Sequence, residues 1–106
     1  MPKYLIKASY TADGVKGVLK DGGAKRKQAA EAAVKSAGGH LEGMYFAFGE
    51  DDVYVILDAP DNISVAAASM AIAASGLVKP TTVVLLTAEE VDQAVKKNAS
   101  YTAPGR

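Results

Sequence analysis

The sequence predicts an α+β sandwich, a four-stranded antiparallel sheet with helices, in the order β, α, β, β, α, β and with one extra C-terminal helix. Two observations predict it. Segments with apolar residues at every second position alternate with segments of helical spacing. The second and third strands are apolar in both of their alternating rows, so both faces of the sheet need cover. A third observation sets the size: 106 residues, 49% of them hydrophobic, suit one compact domain spanning residues 1–106.

The first strand is Lys3 to Tyr10, KYLIKASY, with Tyr4, Ile6, Ala8 and Tyr10 in one row and Leu5, Lys7 and Ser9 in the other. Thr11 then stands at an N-cap position, Asp13 falls in the first turn, and Val15, Val18 and Leu19 recur at helical spacing. Asp21-Gly22-Gly23 breaks or bends this helix. It resumes on the strong helix formers of Ala24 to Ala37 and stops at Gly38-Gly39. His40 to Phe48 is the second strand and Asp52 to Asp58 the third, joined as a hairpin through Gly49-Glu50-Asp51. Simple alternation puts Met44, Phe46 and Phe48 in one row of the second strand and Leu41, Gly43, Tyr45 and Ala47 in the other. In the third, Val53, Val55 and Leu57 oppose Tyr54 and Ile56.

After Pro60-Asp61-Asn62, Ile63 to Ser75 is Ala-rich and apolar almost all round, which predicts a helix packed on more than one side. Thr81 to Thr87, following Pro80, is a β-branched fourth strand. Thr87 and Glu90 have capping-box spacing and open a last helix, Ala88 to Ala99. This order is the split βαβ arrangement of the ferredoxin-like sandwich. With two helices on one face, the other face keeps an uncovered apolar and aromatic row. The simplest cover is a second copy packed sheet to sheet about a two-fold axis, with aromatic side chains at its centre.

Lys plus Arg number 12 and Asp plus Glu number 12, so no net charge steers the chain toward nucleic acid or an anionic membrane. The one basic cluster, KDGGAKRK from Lys20 to Lys27, belongs to no nucleic-acid-binding motif. Its glycines and cations read either as an anion-binding turn or as a solvated joint, and the GK[ST] ending of a phosphate loop is absent. The lack of cysteine excludes disulfides, thiolate metal sites and a cysteine nucleophile. One histidine and scattered acids supply no metal-ligand spacing, and no cofactor is expected. The N-terminus lacks a signal-peptide pattern, and the longest nearly apolar segment, Val65 to Val78, is too short for a bilayer. A soluble, cytoplasmic protein is the expectation.

Few residues suggest chemistry. Asp51 and Asp52 are adjacent carboxylates, which raises the idea of a shifted pKa, but neighbours on a strand point to opposite faces and Asp is a common turn former. His40 is the natural general base, or else an exposed residue at a strand edge. Tyr45 and Tyr54 offer phenols to orient a substrate, or packing at the sheet surface. Lys7 and Ser9 are ligand-binding candidates because polar residues occupy the alternate face of an otherwise apolar strand, with a solvated strand end as the alternative. Tyr10 is one because its phenol could enter a pocket between sheet and helices, or else only pack there.

Three blocks, SYTADGVKGVLKDGG followed by KR, FAFGEDDVYVILDAPDN and TTVVLLTAEEVDQA, resemble successive parts of the GYD domain family. The resemblance implies a ferredoxin-like fold and a dimeric α/β barrel. It implies no reaction and carries no catalytic residues. Gly49 and Asp52 match the ends of the Gly-Tyr-Asp signature, while Asp51 stands at the tyrosine position. Two functional readings follow. One is a homodimer that binds a small molecule or a protein partner without catalysis. The other, by analogy with other dimeric α/β-barrel families, is a cofactor-independent isomerase, decarboxylase or monooxygenase acting on a small carbonyl or phenolic compound. It would use His40 or Asp52 as base and Tyr45 or Tyr54 to orient the substrate.

Overall fold

A computed structural model describes residues 1–106. The chain runs β1 (Lys3–Tyr10), α1 (Ala12–Asp21), α2 (Gly23–Ser36), β2 (His40–Phe46), β3 (Val53–Asp58), α3 (Asn62–Ala74), β4 (Val78–Leu85) and α4 (Ala88–Val95). The helix starts follow their caps. Thr11 Oγ1 accepts from the Gly14 N–H at 3.2 Å, Asp61 Oδ1 from the Ser64 N–H at 2.8 Å, and Thr87 with Glu90 forms the reciprocal box at 3.1 and 2.9 Å. Gly22, at φ +79°, makes two helices of what the sequence suggests is one bent helix, since this backbone region favours glycine.

The four strands form one antiparallel sheet in the order β2-β3-β1-β4. That order and connectivity are consistent with a ferredoxin-like fold. On one face Tyr4, Ile6 and Ala8 of β1 and Val53, Val55 and Leu57 of β3 are buried under Val34 of α2 and Val65 of α3. Burial of such side chains contributes about 1.5–3 kcal/mol each. The Tyr4 hydroxyl, fully enclosed, donates to Asn62 Oδ1 at 2.6 Å and so ties the first turn of α3 to β1.

Several boundaries depart from the sequence expectation. β2 ends at Phe46: the Ala47 N–H donates to the Asp52 carbonyl at 2.8 Å as the last rung of the hairpin, and Phe48 beyond it stands in solvent. β3 accordingly begins at Val53. β4 begins at Val78, before Pro80, because it is an edge strand where a residue without an N–H is tolerated. In β2 the register jumps from Leu41↔Leu57 to Gly43↔Ile56, so Glu42 is an extra residue. This bulge moves Leu41 into the row of Met44 and Phe46, where simple alternation had put it opposite them. α3 has one packed side only, with Ile63 and Met70 exposed, and α4 is shorter than expected.

The other sheet face is open. Leu5, Ile56 and Val83 are register neighbours at its centre, Tyr45 and Tyr54 pair across β2 and β3, and Lys7 lies between Tyr54 and Thr81. At one end Lys3 Nζ reaches Glu42 Oε2 at 2.8 Å and Asp58 Oδ1 at 2.9 Å. These hydrogen bonds, Glu42 first, hold the ammonium pKa above its ordinary value. Every residue from Val91 to Arg106 is exposed. No helix is long and apolar enough to cross a membrane.

Candidate functional site

Helices α2 and α3 lie side by side on the sheet but make little direct contact with each other. Their inward stripes explain why. α2 presents Ala30, Ala33 and Ala37, with Arg26 at the head of the same stripe, and α3 presents Val65, Ala68 and Ile72. Methyl-sized side chains cannot fill the space between two helices and a sheet whose strands are about 10 Å below their axes. A cleft of about 160 Å³ remains, floored by β1, β3 and parts of β2 and β4.

Eighteen residues line it, and sixteen are hydrophobic. Arg26 is the charged exception. It sits at the same end as Tyr10, Ile72, Val78 and Pro80, so the cleft has one polar end, while its far end at Val65 and Leu57 is hydrocarbon alone. The Arg26 side chain is about one-third exposed, and its Nη1 lies 3.9 Å from Asp21 Oδ2, beyond hydrogen-bond length. Lys25 lies 3.7 Å from the same carboxylate. The three charges leave a surplus of one positive charge beside the opening.

The sequence candidates fall in three places. Tyr10 lines the cleft. Its backbone N–H donates to Asp52 Oδ2 at 2.8 Å, and the Asp52 N–H donates to the Ala8 carbonyl at 2.9 Å. Asp51 Oδ1 accepts from Ser9 Oγ at 3.4 Å. The adjacent carboxylates thus bind the entry of β3 to the end of β1, and Asp52 positions Tyr10 from outside the cleft. Lys7, Ser9, Tyr45 and Tyr54 occupy the opposite sheet face. His40 is exposed at the head of β2, beside Glu31 and Lys35 of α2 in a shallow polar depression. No carboxylate or imidazole lines the cleft, and no three His, Asp or Glu side chains cluster as ion ligands.

Sequence reasoning missed the alanine stripe, and read Arg26 only as part of the KDGGAKRK cluster, an anion-binding turn or a solvated joint, without placing it at a cleft. The signal was present in α2 as alanines three and four residues apart, but alanine also reads as plain helix propensity.

The family model for the GYD domain matches residues 4–95. The chain belongs to the GYD domain family. The match takes in every strand and helix described above except for Lys3 at the start of β1, so the cleft lies wholly within the GYD domain. Comparison with curated proteins returns no match. In this GYD protein Asp52 is the residue that holds the Tyr10 backbone.

Proposed function

We propose that this GYD-domain protein binds a small apolar molecule in the cleft between α2, α3 and the sheet. The observation that carries the reading is the cleft's lining, sixteen hydrophobic residues out of eighteen around about 160 Å³. A dry cavity of about 150 Å³ with aliphatic walls takes a benzene-sized guest. A lining without carboxylate or imidazole favours binding over proton transfer. The test is a toluene titration followed by the methyl resonances of Val34, Val65 and Ile72. Saturable shifts at those methyls, abolished when Ala68→Leu fills the space, support the reading. Absence of any saturable shift overturns it.

The assembly proposed is a homodimer joined sheet to sheet, the dimeric α/β-barrel arrangement. One copy exposes 7433 Å², against about 5,600 Å² for a folded monomer of 10.9 kDa. Its radius of gyration is 16.7 Å, against about 13 Å for a compact chain of this length. Only 10 of 106 residues are buried. Part of the excess lies on α4 and the segment after it. The open sheet face contributes as well: it is half-buried and apolar at Leu5, Ile56 and Val83 and charged at its Lys3–Glu42–Asp58 end, as an interface core and rim are. Native mass spectrometry is expected to give twice the chain mass; a monomer at micromolar concentration overturns the dimer.

A further inference from the structure

We infer that the natural occupant of the cleft is a small apolar monocarboxylate, its hydrocarbon part against the alanine stripes and its carboxylate on Arg26. The inference rests on the reading of the cleft as a binding site and adds the chemistry of the guest.

Three observations lead to it. The cleft is chemically polarised: from Ala37 to Ala30 along α2 its wall is hydrocarbon, and only the Arg26 end offers hydrogen-bond donors and charge. A guest that is apolar throughout leaves that end unused. One that is polar throughout loses its hydration against the alanine wall.

The cation is also available. Arg26 Nη1 stands 3.9 Å from Asp21 Oδ2, an ion pair without a hydrogen bond, so the guanidinium keeps N–H groups to donate. Its planar fork matches a carboxylate in a bidentate manner, and the low-dielectric wall beside it strengthens the contact. Asp21 is shared between two cations, Lys25 at 3.7 Å and Arg26 at 3.9 Å, and so leaves the guanidinium only partly compensated. Arg26 is the one cation that lines the cleft, and a single guanidinium fork there matches one carboxylate.

Size sets the last limit. About 160 Å³ holds a ring or short branched chain, and the distance from Arg26 to Ala37, eleven residues of helix, is about 16 Å by helical rise. Benzoate has the required shape, an apolar ring with one carboxylate, and toluene is its neutral counterpart of nearly equal size.

The experiment titrates the full chain with benzoate and, separately, with toluene, for the unaltered protein and for Arg26→Gln, with circular dichroism to check that the variant is folded. Benzoate is expected to bind more tightly than toluene. Arg26→Gln is expected to weaken benzoate about tenfold through loss of a charge-assisted contact while changing toluene by less than about twofold. Toluene binding as well as benzoate, or benzoate binding untouched by Arg26→Gln, overturns the carboxylate inference and leaves the apolar cleft standing. Phenyl phosphate binding more tightly than benzoate also overturns it. If neither benzoate nor toluene binds, the cleft reading and the inference fail together.

Discussion

Ile56 and Leu57 are consecutive on β3 and differ by the position of one methyl group, yet they lie in opposite environments. Leu57 is 2% exposed beneath the helices, whereas Ile56 sits at the centre of the uncovered face. Its neighbours there, Leu5 and Val83, are just as apolar as the buried row. At their centres the two faces therefore differ in cover more than in composition, although the open one also carries Lys3, Lys7 and Ser9 of β1. One is closed by the chain's own α2 and α3, and the other is left open, which is the basis of the proposed sheet-to-sheet dimer.

The comparison breaks most severely at these two positions. Leu57→Asp puts an unpaired carboxylate into the core and is expected to cost on the order of 5 kcal/mol, enough to unfold the domain in circular dichroism. Ile56→Asp, one residue earlier, is expected to leave a folded chain and to reduce the native mass from that of the proposed dimer to that of a monomer, a loss of about 2 kcal/mol or more in association. If Ile56→Asp stays dimeric, the two faces do not differ in the way described.

Two glycines of α1 sharpen the same contrast between covered and open surface. A Cβ on Gly14 would collide with the Leu77 carbonyl, while nothing lies within 4 Å of one on Gly17. Gly14→Ala is expected to destabilise by about 2 kcal/mol although alanine is the better helix former. Gly17→Ala is expected to stabilise by about 0.5–1 kcal/mol, both read from urea midpoints.

The smallest effect is at the exposed start of α3. The Ser64 N–H holds the Asp61 carboxyl below its ordinary 3.8. A depressed folded value means that the cap's contribution is complete above the unfolded value and is lost as pH falls through the folded one. Asp61→Asn keeps the cap without the titration, so its thermal midpoint is expected to fall less steeply than the parent's below about pH 4.

Much of this fold was legible in the sequence. The alternation of KYLIKASY, the Thr11 and Thr87 caps, and the Gly22 interruption located β1, α1, α2 and α4, since each signal acts within one turn or strand. Asp51 and Asp52 could be read as turn residues for the same reason, before their bonds to Ser9 and Tyr10 were seen. Local pattern also showed that both sheet faces are apolar.

The tertiary structure decided the rest. The Glu42 bulge reversed the facing of Leu41, because register is settled between strands and not along one. Pro80 lies inside β4 because that strand ended at the sheet edge, a matter of strand order. The separation of His40, Tyr45 and Tyr54 from Tyr10, and the arrival of Arg26 at the mouth of an alanine-walled cleft, depend on how far apart two helices rest on a sheet. Periodicity reports which way a side chain points. The space left in front of it is a property of the elements that converge there, and no single segment contains that information.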